Sequence, residues 1–267
     1  MSFWDRLDPK YRAILCDVWG VIHDGVTLCP GVAERLRSWR EEGRRVILLT
    51  NAPRTAESVA AQLGRIGLPR DCWDGIATSG EAGIAALVDL GDPVGFIGTR
   101  GDRADLARRG VLFADDGVFG DLACTGIDEV RDEVGDYRAE LDRAARRGVT
   151  LHCLNPDKLV IYGGVAEPCA GALAELYEAM GGKVIWYGKP YPAIYDHAMR
   201  LAGDPPRAGV LAVGDALETD MLGAAHYGLD ALFVTGGIHR GKGIPHGFAK
   251  QHGLSGWAPV AVVPGLS

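Results

Sequence analysis

Residues 11–25, Tyr-Arg-Ala-Ile-Leu-Cys-Asp-Val-Trp-Gly-Val-Ile-His-Asp-Gly, contain a short apolar run that stops on a single carboxylate, Asp17. An apolar run of about four to eight residues that breaks on an acid near a glycine reads as a buried parallel strand whose carboxyl end opens into a turn. Open α/β sheets hold their ligands at such ends, so this run limits both the fold and the place where chemistry is to be sought. An acid there can act as a nucleophile, ligate a metal or cap the turn. A second run, residues 209–220, repeats the arrangement and delivers Asp215 and Asp220 to a turn almost 200 residues further on.

The rest of the chain alternates between strand and helix patterns. A helix over 30–43 follows the Asp17 turn, with Pro30 near its start, Val32, Leu36 and Trp39 on one face and Gly43 at its end. The strand 45–50 ends on Thr50-Asn51, and the helix 55–67 carries Val59, Leu63 and Ile66. Helices are predicted over 81–90, 102–109, 132–148 and 168–180, and strands over 94–97, 122–125, 150–154, 158–162 and 183–186. A strand over 210–213, a helix after Asp220 and a strand over 231–234, expected to close the sheet, complete the series. Strand, helix, strand in this order implies parallel pairing through right-handed crossovers, hence a layered α/β sheet. No long linker interrupts the pattern, so a second domain is expected as an insertion. For both acidic strand ends to line one crevice, the middle of the chain must fold out as its own lobe. The expected division is a core of 1–79 plus 184–267 and an inserted domain of 80–183.

The 267 residues suffice for a substantial core, and 47% hydrophobic with 24% charged residues is an ordinary globular balance. A formal net charge of −7 argues against nucleic acid and anionic membrane as partners, and Arg143, Arg146 and Arg147 read as a solvated helix face. The six cysteines are scattered without ligand-like spacing and read as reduced thiols. The chain opens without a basic region leading into an apolar stretch, and no window approaches the length of a membrane span. The expectation is a soluble cytoplasmic protein.

Four short pieces each place polar groups just past a predicted strand: Asp17, Thr50 with Asn51, Lys189, and Asp215 with Asp220. Together they offer a carboxylate nucleophile, neutral donors, a fixed cation and paired acids, a set suited to a phosphate and a divalent ion. Mg²⁺ takes oxygen ligands, commonly one or two carboxylates with water and substrate oxygens. Asp17 and Asp215 are the expected carboxylates, with Asp220 acting on the ion indirectly, through the groups that hold it or through a water. Asp17 would attack phosphorus in line to form an aspartyl phosphate, while Thr50 and Lys189 would bind the non-bridging oxygens. Each piece alone is an ordinary cap or turn; the signal lies in their joint order.

Asp17-Val18-Trp19-Gly20-Val21, Leu49-Thr50-Asn51, Gly188-Lys189-Pro190 and Gly214-Asp215-Ala216-Leu217-Glu218-Thr219-Asp220 resemble the four ordered motifs of the haloacid dehalogenase superfamily. The long gap between the second and third motifs resembles its class IIA, NagD-like branch, and Asn155-Pro156-Asp157 resembles the cap turn of that branch. The resemblance implies a Rossmann-like core with an inserted α/β cap, Mg²⁺ as cofactor, and hydrolysis of small phosphomonoesters such as nucleotides, sugar phosphates or pyridoxal phosphate. It also implies substrate contacts from Asn51, Asn155 and Asp157, a metal contact from the backbone carbonyl of Trp19, and a dimer surface on the cap.

One position departs from the pattern. Phosphatases of this family carry a second Asp two residues after the nucleophile, which protonates the leaving oxygen, and here Trp19 stands in its place. General acid–base help is worth about 10²–10⁴-fold, so a site without it can bind phosphate yet turn over slowly. His23 and Asp24 are the nearby replacements if the loop folds back. The alternatives to a working phosphatase are therefore a phosphate-binding or regulatory protein and, lower, dehalogenase-type chemistry, whose leaving group needs no proton. Trp19 itself would stack on an aromatic leaving group or fill space beneath the cap. Residues 236–243 are read as a glycine-rich loop beside the active-site mouth, and Arg54 and Arg100 as surface charges.

Overall fold

In the computed structural model, which describes residues 4, 7–114, 117–162, 165–237, 243–254 and 256–267, the run ahead of Asp17 is strand β1 (Ala13–Asp17), buried at every position. It leads to α1 (Val32–Glu41), which starts at Gly31 in the left-handed region and buries Val32, Leu36 and Trp39 at the three-to-four-residue spacing of one helix face. There follow β2 (Arg45–Thr50), α2 (Ala56–Ile66), β3 (Gly75–Thr78) and α3 (Ser79–Leu90), the last capped where Thr78 Oγ1 accepts the Glu81 N–H. The middle of the chain forms β4 (Gly95–Ile97), α4 (Arg100–Arg108), β5 (Asp121–Cys124), α5 (Arg138–Arg146), β6 (Thr150–Cys153), β7 (Leu159–Tyr162), β8 (Val165–Pro168), α6 (Ala170–Ala179) and β9 (Lys183–Trp186). The last elements are α7 (Pro192–Ala202), β10 (Val210–Gly214), α8 (Leu222–Tyr227), β11 (Asp230–Val234), α9 (Phe248–Gln251) and β12 (Ala261–Val263).

The chain divides into two compact units, one of Met1–Thr50, Ala60–Ala77 and Tyr195–Ser267, the other of Asn51–Val59 and Thr78–Ile194. The first is built on a six-stranded sheet in the order β12-β11-β10-β1-β2-β3. β1 runs parallel to both β2 and β10, β10 to β11, and β11 to β12. From β1 the chain moves one way to β2 and β3, and later the other way through β10, β11 and β12, so the strand order reverses between β1 and β10. That junction is the topological switch point of the sheet.

The second unit carries its own four-stranded parallel sheet, ordered β4-β5-β6-β9. Leu122, Cys124, Leu151 and Cys153 pack with Leu141, Leu173 and Tyr177 from α5 and α6. Ala123, Leu154 and Tyr187 pack with Ile84, Leu87 and Leu106 from α3 and α4. Successive residues of a strand face opposite sides, so each strand feeds both layers. All six cysteines are free thiols, and burial pushes Cys124 and Cys169 up to about 12, which makes them core residues rather than reactive ones.

Several sequence expectations are corrected. The strand 231–234 does not close the sheet, because β12 pairs outside β11. The helix expected over 132–148 begins only at Arg138, since Glu133 and Asp136 cap each other's backbone reciprocally and residues 134–137 form a tight 3₁₀ turn. The strand 158–162 pairs with β8 in an antiparallel hairpin of its own. The helix after Asp220 is preceded by one π-helical turn, Leu217–Met221. β3, β8, α7 and β12 were not anticipated. No helix among the described residues is long and apolar enough to cross a membrane.

Candidate active site

Asp17 closes β1, and Asp215 stands one residue past β10. The two strands are neighbours in parallel register, Cys16 opposite Val213, so both carboxylates leave the sheet at the same edge and at the switch point. Asp220 returns to that edge from the π-helical turn, where its Oδ2 accepts the Ala216 N–H at 3.1 Å. π-Helical turns of this kind recur at functional sites. Oxygens of the three carboxylates lie within 4.8 Å of one another, and all three residues are buried.

Three buried acids at this separation repel one another unless a cation joins them. An all-oxygen donor set suits a hard divalent ion. The backbone is shaped around the cluster. A Cβ added to Gly237 would lie 1.8 Å from Asp215 Oδ2, one on Gly20 2.2 Å from the same atom, and one on Gly214 2.2 Å from Asp220 Cγ. Gly20 also adopts a φ of +86°, a region that L side chains rarely enter. The Asp17 carboxylate is oriented by its own turn, Oδ1 accepting the Val18 N–H at 2.7 Å. Thr50 ends β2, the neighbour of β1 on the side away from β10, and is buried.

In the second unit Asn51 organises a separate group. Its Oδ1 accepts the Lys189 N–H at 2.7 Å, while its Nδ2 donates to the Lys189 carbonyl at 3.1 Å and to Asp157 Oδ1 at 2.9 Å. Asn155 Oδ1 accepts the Asp157 N–H at 3.1 Å and so holds the turn that presents Asp157. Gly188 permits this packing, because a Cβ there would lie 2.4 Å from Asn51 Oδ1 and 2.5 Å from Pro156 Cδ. The structure thus joins Asp17, Asp215 and Asp220 in one group, and Asn51, Asp157 and Lys189 in the other.

Residues 14–112 match the sequence profile of haloacid dehalogenase-like hydrolases, and residues 186–266 a second, HAD-hydrolase-like profile. The crystal structure of a haloacid dehalogenase-like hydrolase from Brucella suis 1330 superposes with a TM-score of 0.86 at 32% identity, covering 98% of each chain. The chain belongs to the haloacid dehalogenase-like hydrolases. Ribonucleotide monophosphatase NagD of Escherichia coli K12 is 28% identical over 232 residues, 85% of this chain and 88% of NagD. Human chronophin is 26% identical over 251 residues, 86% of this chain and 83% of its own. The similarity falls within the NagD-like branch of the family.

The loop after Asp17 carries Trp19, and the structure accounts for the indole locally. It packs edge-on to the His23 ring at a centroid distance of 5.2 Å, and a Cβ on Gly25 would lie 2.7 Å from its Cη2. Trp19 therefore folds back on its own loop, which is further closed by Gly20 N–H donating to the His23 carbonyl at 2.8 Å. His23 is buried, its Nδ1 accepts the Gly25 N–H at 2.8 Å, and burial lowers its pKa against a smaller opposing pull from Asp24. Asp24 is an exposed turn residue. Its carboxylate accepts the Val26 and Thr27 N–H groups at 3.0 and 2.8 Å, and the Thr27 and Val26 amides hold its pKa below the usual carboxylate range.

Gly20, Gly214 and Gly237 were not singled out from the sequence as parts of the acidic cluster. The available signal was that each lies within three residues of a strand end, where only glycine lets backbone approach a carboxylate. Of the glycine-rich loop read at 236–243, residues 238–242 lie outside the described residues.

Proposed function

We propose that this protein is a Mg²⁺-dependent hydrolase of small phosphomonoesters, with Asp17 as nucleophile. The observation that supports it most is the grouping of Asp17, Asp215 and Asp220, three buried acids within 4.8 Å at the sheet's switch point. The name of NagD, a ribonucleotide monophosphatase, supports the reaction class. Asp17 and Asp215 are the residues to hold Mg²⁺, with Asp220 fixing the turn beside them. Bound there, the ion would neutralise charge on the phosphoryl group and so allow a carboxylate to approach it.

Asp17 is the group that forms the new bond to phosphorus as the ester P–O bond breaks, the bond's electron pair leaving with the alcohol oxygen. Water then opens the aspartyl phosphate and regenerates the carboxylate with release of phosphate. The Val18 N–H on Oδ1 fixes the plane of the attacking group. Lys189 and Thr50 are assigned to the non-bridging phosphate oxygens, as cation and hydroxyl donor. Asn51 holds the Lys189 backbone from both sides, which orients that residue. In this reading residues 80–183 act as the substrate-selecting cap, with Asn155 and Asp157 in its contact turn. A steady-state screen of phosphate monoesters with Mg²⁺, in wild type and Asp17→Asn, tests the proposal.

A second reading, a phosphate-binding protein of low turnover, is favoured by one observation. Neither Trp19, packed on its loop, nor Asp24, committed to a turn, is arranged as a proton donor. Phosphate binding that persists without turnover above the Asp17→Asn control would establish it.

A further inference from the structure

A chain of hydrogen bonds runs through the apolar layer beneath α3 and α4, and nothing in the reaction described above uses it. His152 on β6 is buried, with Nε2 at 2.8 Å from Asp121 Oδ1 and Nδ1 at 2.7 Å from the Tyr187 hydroxyl. Asp121 opens β5 and its side chain is 30% exposed, whereas Tyr187 is buried and directly follows β9. The register sets Ala123 opposite His152 and His152 opposite Ile185, and the two-residue alternation then puts Asp121, His152 and Tyr187 on one face of the sheet. The imidazole and phenol rings stack at 5.8 Å with an interplanar angle of 12°.

With Asp121 ionised and the imidazole neutral, the donors and acceptors allow one arrangement: Asp121 accepts from Nε2–H, Nδ1 is the acceptor and the Tyr187 hydroxyl the donor. Burial pushes the Tyr187 phenol up to about 12, which keeps that proton in place. An apolar pair would fill this layer without desolvating three polar groups, so the chain is a costly way to obtain packing alone. What it adds is direction.

Tyr187 immediately precedes Gly188 and Lys189. Its N–H donates to the Cys153 carbonyl at 3.1 Å, its hydroxyl is tied to His152, and the Lys189 backbone is tied to Asn51. We propose that Asp121, His152 and Tyr187 form a positioning relay that holds the 187–189 segment, and with it Lys189, in its phosphate-binding orientation. The three act through Lys189 and do not touch substrate. This rests on the assignment of Lys189 to phosphate.

The test measures binding of inorganic phosphate in the presence of Mg²⁺ by calorimetry, with kcat and KM for a phosphate monoester, in wild type, Tyr187→Phe, Asp121→Asn and Lys189→Ala. Tyr187→Phe keeps the ring and removes only the hydroxyl. It is expected to weaken phosphate binding and lower kcat/KM on the order of tenfold, within the ~10²-fold effect of a displacement of about 1 Å. Asp121→Asn, at the exposed end of the relay and so easily accommodated by the fold, is expected to change both in the same direction. Imidazole ¹⁵N shifts of His152 are expected to report the Nε2–H tautomer in wild type. If Lys189→Ala abolishes phosphate binding while both relay variants bind and turn over as wild type, the relay is overturned and the role of Lys189 stands. If Lys189→Ala binds phosphate as wild type does, the assignment of Lys189 falls, and the relay with it. An Nδ1–H tautomer would also overturn the relay.

Discussion

At the scale of single residues, the proposed reaction makes Trp19 the position on which substrate preference turns. Its indole is occupied by His23 and Gly25, and Asp24, held ionised by its turn, is a poor acid at neutral pH. If His23 does not supply a proton to the leaving oxygen either, the rate depends on how well that oxygen carries negative charge. Aryl phosphates, whose phenolate leaves readily, are expected to be hydrolysed much faster than alkyl phosphates. Trp19→Asp is expected to narrow that gap by raising kcat for alkyl esters, up to about 10²-fold. Equal leaving-group dependence in the two proteins would mean that the proton comes from elsewhere. The clamp itself was not readable from the sequence, because it depends on Gly25 closing the loop onto the ring.

At the scale of elements, the carboxyl edge of the first sheet is shaped by glycines as much as by acids. Gly237 follows β11 closely, and a Cβ there would collide with Asp215 Oδ2. Mg²⁺ is expected to raise the melting temperature of wild type, and Gly237→Ala to abolish that rise while the protein still melts cooperatively in EDTA. An unchanged Mg²⁺ response would remove Asp215 from the metal site.

β2 owes its start to Asp74, whose Oδ2 accepts the Val46 N–H at 2.8 Å and whose Oδ1 meets Arg40 Nη2 at 2.9 Å. Burial acts to raise its pKa, but the Arg40 and Val46 hydrogen bonds outweigh burial and the net shift is downward. The folded value lies below the unfolded one. The resulting stability is therefore fully present above about pH 4 and is lost as pH falls through the folded value. Asp74→Ala leaves the Val46 donor unpaired and is expected to cost about 1–3 kcal/mol, read from urea unfolding at neutral pH. In Asp74→Asn the fall of stability below pH 4 should be shallower than in wild type. A parallel pH profile would place the acid response in other carboxylates.

At the scale of the whole molecule, the strand and helix alternation was readable wherever apolar runs were long. β1, β2, β10 and β11 lie within a residue or two of where the pattern puts them, because buried parallel strands read as near-continuous apolar segments. β3 and β12 are no shorter than β4 and β5, which the pattern does show, so length is not what hides them; their place at the two ends of the six-stranded order is set by tertiary pairing. α7 did carry a signal, in Ile194, Tyr195, Ala198, Met199 and Ala202 at helical spacing, masked by its start in Pro192 just after the Gly-Lys-Pro turn.

Of the candidate site, the acids were readable because each ends or follows a strand. Their grouping is expected from the joint order of the four pieces, but no local pattern shows how it arises, with β10 beside β1 and the π-helical turn bringing Asp220 back. The hydrogen bonds of Asn51 to Lys189 and Asp157 join residues 138 and 106 positions apart, a distance that no local pattern spans.

Asp17 is proposed as the nucleophile of a phosphomonoester hydrolase, and phosphate release from an aryl phosphate with Mg²⁺, wild type against Asp17→Asn at equal concentration, reads that role. Turnover is expected in wild type and none above the uncatalysed background in Asp17→Asn, with the variant folded as judged by its melting curve. Turnover that survives in Asp17→Asn, or wild type indistinguishable from the variant, would contradict it.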